Sequence, residues 1–124
     1  MRQRVLLVED NEMLAAGVLD LLIEEGFEVE STGLGRQVMA MIARLAPHVV
    51  VLDLSLPDIS GIAVAGEIRR AWPALPIIFM SGHEEFAGLR DALAEPGTAI
   101  LLKPFEIHWL VEAIERLTGV IGDQ

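Results

Sequence analysis

Near its centre the chain runs Val49-Val50-Val51-Leu52-Asp53-Leu54-Ser55-Leu56-Pro57-Asp58-Ile59-Ser60-Gly61. The first four residues form a wholly apolar run, which is typical of a β-strand buried on both faces. Asp53 then places a carboxylate at the strand end, where an unpaired charge would be costly. A loop with Pro57 and Gly61 follows, and a helix is predicted from about residue 61 to 71. The stretch therefore predicts a buried strand that ends in a functional carboxylate.

The alternation of strand and helix extends in both directions from this stretch. Further strands are predicted at 5–8, 27–30, 77–80 and 99–102, and further helices at about 12–25, 34–45, 84–94 and 105–118. Five strands that alternate with five helices favour a three-layer α/β fold, because parallel strands need crossover connections on the sheet faces. We therefore predict a doubly wound (βα)5 parallel sheet and a single domain over residues 1–124.

The composition excludes several classes of function. Nine Lys and Arg residues stand against 19 Asp and Glu residues, so the formal net charge is −10. Direct nucleic-acid binding by this domain is not expected, because it relies on a basic surface. The chain has no cysteine, which excludes thiolate metal sites and suits a cytoplasmic location. No apolar run has the length of a membrane helix, so no membrane association is expected.

The strand ends of such a sheet predict a site. With right-handed crossovers all carboxyl ends lie at one edge, where ligands bind. The residues that follow the strands include Glu9 and Asp10, Asp53, Ser81, and Lys103. Three carboxylates repel one another unless a divalent cation lies between them, and oxygen ligands suit Mg²⁺ or Mn²⁺. The hydroxyl and the ammonium suit the oxygens of a phosphoryl group.

Four motifs at these positions resemble those of the response-regulator receiver domains of bacterial two-component systems. They are Leu7-Val8-Glu9-Asp10-Asn11, the stretch from Leu52 to Gly61, Met80-Ser81-Gly82, and Leu102-Lys103-Pro104-Phe105. Each motif alone is weak, but all four in order are highly specific, and the resemblance covers essentially the whole chain. It implies a flavodoxin-like sheet with the strand order 2-1-3-4-5.

The resemblance also implies a role for each site residue. Asp53 would accept a phosphoryl group from a phosphohistidine of a histidine kinase or a phosphotransfer protein. Lys103 would pair with the phosphoryl group, and Ser81 would hydrogen-bond it in the active state. The implied Mg²⁺ ligands are Asp10, Asp53 and the backbone carbonyl of Ser55, with Glu9 acting mainly through a water. The domain would be a switch with only intrinsic self-phosphorylation and autophosphatase chemistry, not a metabolic enzyme.

One position departs from the family pattern. Members often have Tyr or Phe two residues before the lysine, where this chain has Leu101. We still expect an output partner to bind the surface of the predicted helix 84–94, the last strand and the last helix. Trp109 motivates this expectation because its helical neighbours are mostly polar, although a half-buried packing role is an equal alternative. His83, two residues after Ser81, is a candidate for tuning the lifetime of the phosphorylated state.

Two other functions remain as alternatives at this point. A phosphatase of the haloacid-dehalogenase type would have a second Asp two residues after its nucleophile, where this chain has Ser55. A flavodoxin-like cofactor module would need a phosphate-binding loop after the first strand, where Glu9 and Asp10 would repel phosphate. A structural role also stays open for Asp10, which could cap the first helix, as could Asn11. The chain could be a stand-alone regulator or a receiver from a larger protein.

Overall fold

The computed structural model describes residues 2–82 and 96–119. Its five strands are β1 (Arg4–Val8), β2 (Glu28–Thr32), β3 (Val49–Asp53), β4 (Ile77–Ser81) and β5 (Thr98–Leu102). They form one sheet in the order β2-β1-β3-β4-β5, and every neighbouring pair is parallel. The predicted fold class and strand order are thereby confirmed. The predicted helix 84–94 and His83 lie outside the described residues.

The described residues contain four α-helices on the two faces of the sheet. They are α1 (Glu12–Glu24), α2 (Val38–Leu45), α3 (Gly61–Ala71) and α4 (Ile107–Thr118), and a 3₁₀ turn (Gly35–Gln37) leads into α2. Helices α1 and α4 share one apolar core with the sheet, and α2 and α3 share the other. None of these helices has the length and apolarity needed to cross a membrane.

Strand β3 shows why the central strands are apolar throughout. Val49 and Val51 pack in the core with α1 and α4, whereas Val50 and Leu52 pack in the core with α2 and α3. Successive side chains of a strand point to opposite faces, so a strand covered on both sides needs an apolar residue at every position. Asp53, the last residue of β3, is the first position that breaks this rule.

Helix α1 buries only part of the apolar pattern that predicts it. Of the apolar positions Met13, Leu14, Val18, Leu21 and Leu22, only Val18 and Leu22 are buried, whereas Met13 is 87% exposed and Leu14 and Leu21 are also exposed. The buried stripe is Ala15, Val18 and Leu22. The exposed residues border a groove of about 560 Å³, whose lining also includes Lys103, Phe105 and Ile107.

Two element boundaries also differ from prediction. Strand β2 continues through Ser31 and Thr32, which were expected to follow it, because these residues pair with Leu7 and Val8 of β1. The expected helix 34–45 begins as the 3₁₀ turn, and regular α-helix starts only at Val38. The carboxyl end of β2 therefore lies level with the end of β1, beside Glu9.

Hydrogen bonds between Arg4, which starts β1, and His48, which precedes β3, join the amino-terminal ends of these two strands. We call this pair of contacts the clasp. The backbone N–H of His48 donates to the Arg4 carbonyl (2.8 Å), and the Arg4 N–H donates to His48 Nδ1 (2.9 Å). The Arg4 guanidinium donates to the carbonyls of Leu45 and Ala46 at the end of α2. Burial, and then the charge of Arg4, lower the pKa of His48 from its ordinary 6.5. The clasp needs a neutral imidazole, since a protonated Nδ1 cannot accept.

The clasp predicts a pH dependence of stability. A lowered folded pKa means that the stabilisation by His48 is complete above about pH 6.5 and is lost as the pH falls through the folded value. His48→Asn keeps an acceptor near the position of Nδ1 but does not titrate. Urea unfolding at roughly pH 7.5, 6.5 and 5.5 should show the wild type losing more stability than the variant. A constant difference between the two proteins over this range would contradict the prediction.

Candidate functional site

The carboxyl edge of the sheet brings Glu9, Asp53 and Lys103 into one cluster. Lys103 Nζ lies 3.1 Å from Glu9 Oε1 and 3.1 Å from Asp53 Oδ2. Both carboxylate side chains are only 2% exposed, whereas the lysine side chain is 29% exposed. The three residues follow β1, end β3 and follow β5, so the parallel order of the sheet is what makes them meet.

The backbone around Asp53 is held in place by close packing at the start of α3. The Gly61 N–H donates to the Leu54 carbonyl (3.1 Å). A Cβ at Gly61 would lie 2.5 Å from the Asp53 carbonyl oxygen and 2.7 Å from Leu54 Cα, both backbone atoms. Only glycine therefore lets α3 begin directly against Asp53. The Ser55 N–H donates to Asp53 Oδ1 (3.1 Å), which fixes the orientation of the carboxylate.

Three carboxylates at this edge have the spacing of a metal site. Glu9, Asp10 and Asp53 each offer an oxygen, and these atoms lie within 4.8 Å of one another. Burial raises the pKa of Glu9 to about 7, and the adjacent Asp53 adds to the rise. Three carboxyl groups stand against the single ammonium group of Lys103, so the fully ionised cluster carries more negative charge than the lysine alone can neutralise. This excess of charge and the all-oxygen donor set fit a hard divalent cation such as Mg²⁺.

Lys103 remains a cation in this cluster. Burial disfavours its ammonium group, but the hydrogen bonds to Asp53 and Glu9 outweigh burial and raise the pKa of Lys103. The backbone N–H of Lys103 donates to the Ser81 carbonyl (2.7 Å), which ties the lysine to the end of β4. The site thus contains a permanent positive charge beside the buried Asp53 carboxylate.

The capping of α1 separates the roles of Asp10 and Asn11. The Asn11 Oδ1 accepts from the Leu14 N–H (3.0 Å), so Asn11 is the N-cap. The Asn11 N–H donates to Glu9 Oε2 (3.1 Å), a contact that the sequence did not predict. Asp10 is exposed and its carboxylate lies within the acidic group. The alternative that Asp10 caps α1 is therefore wrong. Its metal-binding role stays a prediction.

The two serines of the predicted site occupy different positions. Ser81 is fully buried at the end of β4, and its hydroxyl donates to the Gly82 carbonyl (2.8 Å). Ser55 is exposed in the loop after β3 and contacts Asp53 through its N–H. The predicted contact of the Ser81 hydroxyl with a phosphoryl group and of the Ser55 carbonyl with a metal both remain predictions.

The output residues suggested by the sequence lie along β5 and α4. Leu101 is partly buried and packs against the core with α1 and α4. Trp109 is 47% exposed, and its ring forms a T-shaped contact with the His108 ring at a centroid distance of 5.6 Å. The buried residues of α4 are Leu110, Ala113 and Ile114, so Trp109 lies off the buried stripe of this helix.

Comparison with known proteins identifies the family. The model of the response regulator receiver domain matches residues 5–115. The chain belongs to this family. Membership of the receiver family sets aside the two alternatives, a haloacid-dehalogenase phosphatase and a flavodoxin-like cofactor module.

Curated relatives of this receiver domain include two proteins that are named as transcriptional regulators. The chain is 35% identical over 119 residues to the probable transcriptional regulatory protein TcrX of Mycobacterium tuberculosis, and the match covers 94% of this chain and 51% of TcrX. It is 30% identical over 115 residues to the transcriptional activator protein ExaE of Pseudomonas putida, covering 91% of this chain and 54% of ExaE. The chain thus spans about half the length of these relatives.

Solved receiver structures share the fold. The receiver domain of NtrX from Brucella abortus superimposes with a TM-score of 0.86 at 28% identity, covering 94% of this chain and 98% of that one. The receiver domain of a LuxO repressor protein from Vibrio parahaemolyticus gives a TM-score of 0.86 at 27% identity, covering 96% and 92%.

Proposed function

We propose that this receiver accepts a phosphoryl group on Asp53 from a phosphohistidine of a histidine kinase or a phosphotransfer protein, with Mg²⁺ or Mn²⁺ as cofactor. Phosphorylation would then switch the binding of a partner. The observation that supports this proposal best is the buried Asp53 carboxylate paired with Lys103 at 3.1 Å, within a group of three carboxylates whose oxygens lie within 4.8 Å.

The chemistry needs few groups beyond these. An Asp53 oxygen would form a bond to phosphorus while the bond from phosphorus to the donor imidazole nitrogen breaks, and the bonding pair leaves with that nitrogen. A carboxylate is already ionised for this attack, so positioning and charge neutralisation dominate. The Ser55 N–H donates to Asp53 Oδ1 and orients the carboxylate. Lys103, which now pairs with Asp53 Oδ2, would pair with the phosphoryl oxygens as negative charge develops on them. Asp10, Asp53 and the backbone carbonyl of Ser55 would hold Mg²⁺, with Glu9 acting mainly through a water, and the cation supplies further positive charge when bound.

The wider role is proposed on the same basis. We propose one receiver domain over residues 1–124 that works in the cytoplasm, with only intrinsic self-phosphorylation and autophosphatase chemistry. A relative that is 32% identical over 114 residues is named DNA-binding response regulator MtrA, and this chain covers 50% of it. The net charge of −10 argues against direct DNA binding by the receiver described here.

The proposal is tested by incubation with acetyl phosphate, with and without Mg²⁺, followed by intact-mass measurement. One phosphoryl group should add only when Mg²⁺ is present, and peptide mapping should place it on Asp53. Beryllofluoride, which mimics the phosphoryl group without covalent transfer, should raise the melting temperature under the same condition. Modification that does not need Mg²⁺, or that lies on another residue, would contradict the proposal.

The output surface gives a separate prediction. We propose that a partner binds a surface that includes β5 and α4, where Trp109 offers an exposed ring, together with the helix predicted at 84–94, which lies outside the described residues. Lys103 directly follows β5. If its ion pair moves from the Asp53 carboxylate to the phosphoryl group, the backbone of β5 and of the start of α4 should therefore change first. Backbone amide shifts on adding beryllofluoride and Mg²⁺ should therefore include residues 98–102 and 107–113. Shifts that spare residues 84–113 would rule out this output surface.

A further inference from the structure

Asp58 joins the loop after β3 to the turn that precedes α2. Its Oδ1 accepts from the Gly35 N–H and its Oδ2 accepts from the Arg36 N–H, both at 2.9 Å. These donors are 23 and 22 residues away in sequence. The Arg36 guanidinium is a minor part of the contact, since its Nε is 3.9 Å from Oδ2 and its side chain is mostly exposed. We call these two backbone hydrogen bonds the Asp58 junction.

Close packing around Gly35 supports the Asp58 junction. A Cβ on Gly35 would lie 2.3 Å from Ile59 Cγ2, 3.0 Å from Val64 Cγ2 and 3.3 Å from Leu56 Cδ1. The loop after β3 thus lies against the turn with no space for a side chain between them. Both the hydrogen bonds and the packing hold the same two segments together.

Both segments make hydrogen bonds that reach residues of the carboxylate group formed by Glu9, Asp10 and Asp53. On the loop side, the Ser55 N–H donates to Asp53 Oδ1 (3.1 Å), so the carboxylate is oriented by a residue of the loop that Asp58 anchors. On the turn side, Thr32 hydrogen-bonds through its hydroxyl to the Gln37 side chain. The carbonyl of Thr32 accepts from the Glu9 N–H (2.9 Å). The Asp58 junction therefore connects the loop that orients the Asp53 carboxylate with the turn whose contacts reach the backbone of Glu9.

We propose that Asp58 is a positioning residue that sets the spacing of the Asp53 and Glu9 carboxylates and thereby the affinity of the site for Mg²⁺. This inference rests on the proposed function, because it assumes that the cluster binds the cation. Asp58 acts through the loop and the turn and touches neither the metal nor the phosphoryl group. Breaking the junction frees the loop, and the ligands must then be ordered again when the cation binds.

Asp58→Ala tests the inference through the Mg²⁺ dissociation constant, measured by calorimetry at a temperature where all variants are folded. Groups that orient metal ligands are worth about tenfold or more in affinity, so a weakening by about tenfold is expected. Asp58→Asn keeps one acceptor oxygen, so its Mg²⁺ dissociation constant should lie between those of the wild type and Asp58→Ala. It also replaces Asp58→Ala in the test if that variant does not fold. The acetyl phosphate reaction should need more Mg²⁺ but approach the wild-type rate when Mg²⁺ saturates.

Two matched controls separate positioning from stability. Arg4→Ala removes the hydrogen bonds at the other end of α2, away from the site, and should leave the Mg²⁺ affinity unchanged although it lowers stability. Arg36→Ala removes the guanidinium but keeps the backbone N–H, and it should also leave the affinity unchanged. Equal weakening by Arg4→Ala and Asp58→Ala, or no weakening by Asp58→Ala, would overturn the inference. A wild type that binds no Mg²⁺ would instead overturn the proposed function, and the inference with it.

Discussion

Asp53→Asn should abolish covalent phosphorylation by acetyl phosphate, whatever the Mg²⁺ concentration. The amide that replaces the carboxylate is not ionised and is a very weak nucleophile, so the bond to phosphorus cannot form. Intact-mass measurement after saturating incubation should show the wild type gaining one phosphoryl group and the variant none.

A carboxylate on the surface provides the control for this result. Asp20 is an exposed residue of α1 outside the acidic group, so Asp20→Asn removes the same charge without touching the site. It should be phosphorylated like the wild type. Asp53→Asn should also fold, because it removes one of three mutually repelling carboxylates. Equal modification of Asp53→Asn and wild type would defeat the assignment of Asp53.

The central strands could be predicted from the sequence because their burial is two-sided. A run such as Val49 to Leu52 is typical of a strand that is covered on both faces, and the order of elements then implies a parallel sheet. Helix α1 shows the limit of such patterns. It has apolar residues on more than one side, so periodicity alone could not tell the buried stripe with Val18 from the exposed Met13 and Leu21. Packing against α4 and the sheet makes that choice.

The charged groups of the site could also be predicted, because topology alone brings strand ends to one edge. The contacts that orient these groups could not. The N–H groups of Asn11 and Ser55, and those that bind Asp58, depend on the conformation of loops. An acidic residue after Pro57 has the same sequence signature as an ordinary turn residue. The sequence therefore identified chemistry but not the hydrogen bonds that position it.

Lys103→Met should have the second large effect, because it removes the cation between two buried carboxylates. Breaking a buried ion pair from one side costs about 3–5 kcal/mol, and we expect roughly 2 kcal/mol here since Lys103 is partly exposed. Urea unfolding of the metal-free protein at neutral pH should measure this loss. Mg²⁺ should restore more stability to the variant than to the wild type, because the cation takes over the neutralisation of Glu9 and Asp53.

Removal of Lys103 should also slow phosphorylation from acetyl phosphate by about a hundredfold, the usual cost of losing one preorganised group that stabilises transition-state charge. A small-molecule donor is the informative choice, because Lys103 also borders the groove beside α1 and a protein donor could lose contacts there. Arg44→Met is the matched control, since Arg44 pairs with Glu30 at 3.7 Å on the surface. That pair should contribute at most about 1 kcal/mol and should not affect the reaction. If both variants lost the same stability and reacted at the same rate, Lys103 would be an ordinary surface lysine and the electrostatic account of the site would fail.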